Sequence, residues 1–250
     1  MDDIIFGKNS VTEALLSGKR EINKILISKS IHNDAKIDKI KELAGKKGIV
    51  FQFCTKEKFS QYAEFNHQGV IAFVSPIKYA DLDEFLEKPH TNSSLVILDG
   101  IEDSHNFGAI VRSCVCAGVD AVIIPSRRNV QVNSVVEKTS AGAVNHIPII
   151  KVNSLANAVQ KLKTSDWWII ATDASAKDNY YNISYSGMNF ALIMGAEHAG
   201  VSKSLLKLSD FTVKIPMEND FNSLNVSNAA CVIIFEALRQ KTLAKVKQSK

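Results

Sequence analysis

The chain has 250 residues, of which 46% are hydrophobic and 22% are charged, and it contains five prolines. This composition excludes a disordered or fibrous protein, and the length predicts two modest globular domains. The net charge of +4 lies mostly in residues 1–75, which hold 12 Lys and Arg against 9 Asp and Glu. A surplus of that size favours a polyanionic partner only weakly.

Short β-branched runs alternate with helical patterns along the whole chain. The predicted strands are 24–28, 49–53, 69–74, 95–99, 119–125, 167–173, 190–195 and 211–216. Between them, helical segments follow capping residues at Asn9 or Ser10, at Asn153 or Ser154, and at Ser202. The alternation predicts an α/β protein.

The segment SPIKYADLDEFLEKPHTNSS (75–94) is polar, has two prolines and ends in a cluster of turn formers. We place a linker at 76–94, between a mildly basic, βαβ-like domain at 1–75 and a second domain at 95–250. The strands of the second domain are almost continuously apolar, which is typical of a parallel sheet covered on both faces.

The strand at 95–99 runs into GIEDSHNFGAIVRSCVCAG (100–118), a polar loop followed by a helix. Ligands of open α/β sheets bind at the carboxyl ends of strands, so this loop is a candidate site. It lacks GxGxxG, and the chain has no P-loop. We expect Ala109, Ile110, Cys114 and Ala117 to face the sheet. Arg112, near the first turn, is either a solvated residue or a phosphate clamp.

The strand at 190–195 leads into a second loop, GAEHAGVSKSLL (195–206). Gly195 permits the close approach of another molecule to the backbone. Glu197 is either an acid at a helix N-terminus or a functional residue. We interpret His198 as an exposed loop residue, because no partners at metal-ligand spacing accompany it.

The strand at 211–216 precedes a segment rich in Asn and Ser and then a long amphipathic helix. Either Asn222 or Ser223 is expected to cap that helix. Capping leaves the other polar residues unexplained, and so many neutral donors and acceptors suit an adenine edge, a ribose or an oxyanion. The cluster comprises Asn222, Ser223, Asn225, Ser227 and Asn228.

These three segments together resemble the SpoU family of RNA ribose 2′-O-methyltransferases, in the SPOUT superfamily. Motif 1 of that family is similar to NFGAIVRSCVCAGVDAVIIP (106–125), motif 2 to LIMGAEHAGVS (192–202) and motif 3 to IPMENDFNSLNVSNAACVIIFEALRQ (215–240). In addition, FGKNSVTEALLSG (6–18) and HQGVIAFV (67–74) resemble the substrate-binding domain of the RlmB-type branch, which modifies large-subunit (23S) ribosomal RNA.

The resemblance implies a trefoil-knotted catalytic domain with a parallel sheet, a small ribosomal-protein-like α/β domain that binds RNA, and a homodimer. Because chains almost never thread their own loops, the knot follows from the resemblance alone. The implied reaction is methyl transfer from S-adenosyl-L-methionine to a ribose 2′-hydroxyl. The expected target is guanosine in 23S rRNA, with tRNA as the alternative. Two other interpretations are a non-catalytic RNA-binding member and a nucleotide-binding oxidoreductase.

The resemblance also assigns site residues. It gives Gly195, Ile215 and Leu224 to the cofactor through their main-chain groups, and we expect Thr172, Met194 and Met217 to contact the cofactor as well. Positions that depart from the family pattern are Ser104, His198 and Asn219. The catalytic positions are intact, and they are Asn106, Arg112, Glu197, Ser223 and Asn225.

A guanidinium is a poor proton acceptor, so Arg112 is not expected to act as the base. We expect it to grip a neighbouring phosphate and to stabilise the developing alkoxide, while the other catalytic residues orient the arginine and the ribose. Catalysis of this kind requires no metal, and none is expected.

The chain has no apolar run near the roughly 20 residues of a transmembrane helix, and MDDIIFGKNS (1–10) is acidic and short for a signal peptide. We therefore expect a cytoplasmic protein. Its cysteines lack disulfide or zinc spacing and are expected to be reduced and mostly buried.

Overall fold

The computed structural model describes residues 3–218 and 223–248. Its strands are β1 (Asp3–Phe6), β2 (Ile22–Ser28), β3 (Phe51–Cys54), β4 (Val70–Val74), β5 (Ser94–Asp99), β6 (Ala121–Pro125), β7 (Ile149–Val152), β8 (Trp167–Thr172), β9 (Asp178–Asn179), β10 (Asn189–Gly195) and β11 (Phe211–Lys214). Its α-helices are α1 (Lys8–Ser17), α2 (Ala35–Lys46), α3 (Lys56–Ser60), α4 (Leu82–Leu86), α5 (Ser104–Ala117), α6 (Ser134–Thr139), α7 (Leu155–Thr164), α8 (Lys203–Leu208) and α9 (Val226–Gln248). Short 3-10 helices lie at Ala143–Asn145 and Tyr180–Asn182.

The chain forms two compact units. Unit 1 comprises Met1–Lys78 and Val132–His146, and unit 2 comprises Tyr79–Gln131 and Ile147–Lys250. Unit 1 therefore takes in a segment from the middle of the chain, which the predicted division at 1–75 and 95–250 had assigned to the second domain.

The sheet of unit 1 has the strand order β1-β4-β2-β3, in which β2 and β3 are parallel and the other pairs are antiparallel. One face packs on α1 and α2 through side chains that include Val11, Ile25 and Ile40. The opposite face is covered by Phe59 of α3, which packs with Leu26 and Ile71. Apolar residues on both faces of short strands account for a sheet enclosed between helices.

A buried ion pair explains why residues 132–146 belong to unit 1. Arg20 donates from Nη1 to Glu137 Oε1 at 2.6 Å, and Asn145 donates from Nδ2 to Glu137 Oε2 at 2.9 Å. Both side chains of the ion pair are almost fully buried, and this burial raises the pKa of Glu137 against the opposing effect of Arg20. A buried carboxylate is stable only beside such partners, so α6 must lie against α1 and its neighbours.

The sheet of unit 2 is parallel throughout, in the order β7-β6-β5-β10-β8-β11-β9. Its central strands are buried on both faces, as their continuous apolar sequences predicted. The α/β class and the parallel sheet are thus confirmed.

The predicted linker at 76–94 contains structure. Asp81 caps the short helix α4, whose Leu82 and Phe85 are buried in the same core as Leu95 and Ile150. Ala80 also forms a parallel bridge to Ile150 of β7. Leu82 and Phe85, spaced i, i+3, and the bridge at Ala80 together anchor a segment that is otherwise polar.

In the part of the chain that the structure describes, no helix is long and apolar enough to cross a membrane. All four cysteines are free thiols, as expected. Cys54 and Cys114 are buried, Cys231 is half-buried and Cys116 is exposed. Only two of the four cysteines are therefore buried, although most of them were expected to be.

Candidate active site

A cleft of about 1180 Å³ opens at the carboxyl ends of three adjacent strands of unit 2, β10, β8 and β11. The start of α9 closes another side. The segments that line the cleft include 172–174, 194–201, 213–217 and 223–224. A site at strand carboxyl ends is what the topology predicts for an open parallel sheet.

All six residues predicted to bind the cofactor line this cleft. They come from three strand ends and the loop before α9, and they are Thr172, Met194, Gly195, Ile215, Met217 and Leu224. Thr172 donates from Oγ1 to the carbonyl of Ile193 at 3.1 Å, which ties β8 to β10 at the cleft edge. Met194 is buried, whereas Met217 and Leu224 expose apolar surface to the cleft.

Gly195 is required by the packing of the chain on itself. A Cβ atom at this position would lie 2.0 Å from the carbonyl carbon of Gly200 and 2.1 Å from the amide nitrogen of Val201. The turn that follows β10 occupies the space of a side chain, so packing alone already requires glycine here, while the approach of another molecule to the Gly195 backbone stays a prediction. This turn is closed by Gly200 N donating to Ala196 O at 2.8 Å, and Ser202 N donates to Asp99 Oδ2 at 2.8 Å.

Glu197 and His198 are exposed on this turn, and both line the cleft. The interpretation of His198 as an exposed loop residue is confirmed. Ser223 is exposed on the opposite side, just before α9, and lines the cleft as well. Two of the residues assigned to catalysis, Glu197 and Ser223, thus share one cavity with the predicted cofactor residues.

Asn106 and Asn225 meet although they are 119 residues apart: Asn225 donates from Nδ2 to Asn106 Oδ1 at 2.9 Å. Asn225 Oδ1 accepts from the amide of Ser227 at 2.9 Å, so Asn225 caps α9. The cap predicted at Ser223 is therefore wrong, because the helix begins at Val226. Asn222, the other predicted cap, and Asn219 lie outside the described residues.

Arg112 is exposed on the third turn of α5, not near the first turn as expected, and it is not among the residues that line the cleft. The buried face of α5 carries Phe107, Ile110, Val111 and Cys114. Ala109 and Ala117, which were expected to face the sheet, are only half-buried.

Charged residues that the motif patterns do not indicate also line the cleft, among them Asp173, Lys203 and Lys214. Asp173 follows β8 directly, so its position at a strand end was a usable signal. Its Oδ1 accepts from the amide and the hydroxyl of Ser175. Across residues 3–218 and 223–248, no group of three or more His, Cys, Asp or Glu side chains is arranged to hold a metal ion.

Two family models match the chain. Residues 93–235 match the SpoU rRNA Methylase family, and residues 4–80 match the model for RNA 2′-O ribose methyltransferase substrate binding. A protein of Staphylococcus saprophyticus assigned to the TrmH family of tRNA/rRNA methyltransferases is 39% identical over 241 residues, which is 95% of this chain and 96% of that protein.

Solved structures share the fold. The SpoU methyltransferase AviRb from Streptomyces viridochromogenes superimposes with a TM-score of 0.83 at 21% identity, over 97% of this chain and 91% of that one. The AdoMet-bound rRNA methyltransferase from Sinorhizobium meliloti superimposes with a TM-score of 0.80 at 23% identity, over 95% and 87%.

Proposed function

Because this chain belongs to the SpoU rRNA methylase family, we propose that it transfers a methyl group from S-adenosyl-L-methionine to a ribose 2′-hydroxyl of RNA. The observation that carries this proposal is the cleft at the ends of β10, β8 and β11. Residues from motifs 2 and 3 line the cleft together, and Asn225 links motif 3 to Asn106 of motif 1.

The cleft fits the proposed cofactor. Its volume of about 1180 Å³ is slightly above the usual range of small-molecule sites, which leaves room for part of an RNA nucleotide. The main chain at Gly195, Ile215 and Leu224 supplies amide and carbonyl groups for adenosine, and Met194 and Met217 add apolar surface. When bound, the cofactor supplies an electrophilic sulfonium methyl group. The AdoMet-bound structure from Sinorhizobium meliloti supports the same choice of cofactor.

Polar side chains at the cleft and next to it position the ribose, although Asn106 and Asn225 are not among the residues that line the cleft. Asn106 and Asn225 hold each other at 2.9 Å, and the second is fixed further by capping α9. Side chains held in this way orient a hydroxyl without losing conformational freedom at the moment of reaction. Ser223 and Glu197 complete the wall on either side. We propose that Arg112 grips a phosphate of the RNA and stabilises the developing alkoxide.

For the substrate we propose guanosine in 23S rRNA, with tRNA as the alternative. The model matching residues 4–80 supports an RNA-binding domain at 1–75, joined through 76–94 to a catalytic domain at 95–250. The Staphylococcus relative belongs to a family of tRNA/rRNA methyltransferases, which supports tRNA as the alternative. A knotted catalytic domain, a homodimer and a cytoplasmic location remain predictions.

The test is methyl transfer from labelled S-adenosyl-L-methionine to transcripts of 23S rRNA and of tRNA. We expect the labelled methyl group to appear in the rRNA and to remain there after treatment that removes methyl groups from bases. An Asn106→Ala variant should transfer no label. Mapping of 2′-O-methyl marks in cells with and without the protein then identifies the nucleotide. RNA binding without transfer would instead support the non-catalytic interpretation, and cofactor competition by nicotinamide dinucleotide would support the oxidoreductase.

A further inference from the structure

A second recess of unit 2, of about 380 Å³, adjoins the cofactor cleft. Ala196, Ala199 and Gly200 line both cavities, so the turn after β10 separates them. The rest of the recess is formed by the carboxyl ends of β5 and β6, the first turn of α7, the start of α8 and the arginines Arg127 and Arg128. The methyl-transfer assignment makes no use of these residues.

The loop that carries the two arginines is fixed at both ends. Ser126 N donates to Val152 O at 2.8 Å, and Val130 N donates to Ile101 O at 2.8 Å. Asn129 Oδ1 accepts from Ile101 N at 2.8 Å. Arg128 has a φ of 56°, a left-handed conformation that a non-glycine residue adopts at some cost. The loop thus holds the arginine backbones firmly against the β5 end.

The charges in the recess favour an anion. Arg127 and Arg128 are exposed, and none of the ion pairs within the described ranges 3–218 and 223–248 uses them. Among the described lining residues Asp99 is the acidic one, and its Oδ2 accepts from the amide of Ser202 at 2.8 Å.

Helix α7 adds hydrogen-bond donors to the recess. It begins here after its cap Ser154, and Leu155 and Ala156 of its first turn line the recess, whereas the amide of Asn157 already donates to Ser154 Oγ.

We propose that Arg127 and Arg128, with the first turn of α7, bind a backbone phosphate of the RNA substrate beside the cofactor cleft. The inference rests on the proposed function and deepens it. Guanidinium groups match a phosphodiester with paired donors, and a helix N-terminus favours the same negative charge. A phosphate held across the turn from the cleft sets the register of the strand, so that one ribose enters the cleft.

The test compares the Arg127→Ala/Arg128→Ala variant with a control that loses the same charge, Lys88→Ala/Lys207→Ala. Both control lysines are exposed in unit 2, outside the two cavities. Affinity is measured with 23S rRNA and tRNA transcripts at several salt concentrations, using whichever binds the wild type more tightly. Cofactor affinity is measured by calorimetry, and an unchanged value establishes that the cleft is folded.

We expect the arginine variant to bind RNA roughly 10- to 100-fold more weakly, as befits the loss of charge-assisted hydrogen bonds. The slope of log affinity against log salt becomes shallower by about 0.7, the value for one phosphate of a single strand. RNA affinity within twofold of wild type, or an equal loss in the lysine control, overturns the proposal. A wild type that binds RNA but transfers no methyl group overturns the proposed function instead and leaves this binding comparison valid.

Discussion

Gly195 lies at the end of β10, where the backbone of Gly200 and Val201 occupies the place of a side chain. We predict that Gly195→Ala displaces the turn at 196–200, destabilises the protein by about 1–3 kcal/mol as overpacking does, and weakens S-adenosylmethionine binding at least tenfold. Calorimetric titration and urea unfolding measure the two effects.

Gly45 provides the matched control. It lies inside α2, and nothing is within 4 Å of the position of its Cβ. Gly45→Ala should stabilise the protein by about 0.5–1 kcal/mol through helix propensity and leave cofactor affinity unchanged. Equal losses in both variants would show that Gly195 has no particular relation to the cleft.

Asn225 has two functions that substitution can separate, since its Oδ1 caps α9 and its Nδ2 donates to Asn106. Asn225→Asp keeps the capping oxygen but removes the donor, so we predict near-normal stability with kcat reduced at least tenfold. Asn225→Ala should reduce kcat and also cost about 1 kcal/mol of stability. A fully active Asn225→Asp variant would remove the hydrogen bond to Asn106 from the mechanism.

Arg112 is exposed on α5 and is proposed to stabilise charge in the transition state. A lysine retains the charge but not the planar pair of donors, so Arg112→Lys should lower kcat at least tenfold, with little change in cofactor affinity. Steady-state kinetics with the RNA substrate measure kcat for this variant, and near-normal turnover would refute a bidentate contact.

The helix α6 is attached to unit 1 through the buried pair of Arg20 and Glu137. Arg20→Met leaves Glu137 buried without its cation, and we predict a loss of about 3–5 kcal/mol in the free energy of unfolding. Lys46→Met, which breaks an exposed pair with Glu42 on α2, should cause no measurable change.

The loss in Arg20→Met should grow with pH. Burial already raises the pKa of Glu137, and removal of the guanidinium raises this pKa further. A folded-state pKa above the unfolded value stabilises the fold at low pH, and this contribution disappears as the pH rises. Urea unfolding at pH 5 and pH 8 should therefore show the larger difference at pH 8. A smaller difference at pH 8 would contradict this view of the buried carboxyl group.

Local patterns predicted many of the elements but not all of their bounds. Strands β2, β4, β5 and β10 follow from apolar runs. Helix α1 begins at Lys8 after Gly7, so the caps predicted at Asn9 or Ser10 are wrong and lie inside the helix. Ser154 caps α7 as predicted, with its Oγ accepting from Asn157 N. Strands β1 and β7, four residues each, were missed, whereas β3 and β11 of the same length were predicted, so a run this short is an unreliable signal of a strand.

The sequence predicted the individual loops and residues of the site but not how they come together in the fold. Each loop was identified by its position at a strand end, and motif resemblance supplied the residues. These loops lie next to one another because the strands are arranged in the order β10-β8-β11, which differs from their order along the chain. The placement of 132–146 depends on Arg20 and Glu137, 117 residues apart, so no local pattern contains it.

At the scale of the whole molecule, α9 leaves apolar side chains uncovered, with Phe235, Leu243 and Val246 exposed by 41%, 49% and 52%. Their spacing of eight and three residues places them on one side of the helix. We predict that this side contributes to a homodimer and that Leu243→Glu/Val246→Glu yields monomers of 27.5 kDa. Analytical ultracentrifugation distinguishes the two states. Lys247→Glu, on the same turn, should remain dimeric, and a monomeric wild type would refute the prediction.

The discontinuous composition of unit 1 has a consequence for biosynthesis. Its first segment ends at Lys78, but the segment that supplies Glu137 ends at His146. Translation at roughly 5–20 residues per second therefore leaves an interval of about 3–14 s between the two. For most of that interval, until Glu137 is synthesised, Arg20 lacks its buried partner on the nascent chain, so unit 1 becomes complete only after β5, α5 and β6 of unit 2 have been synthesised.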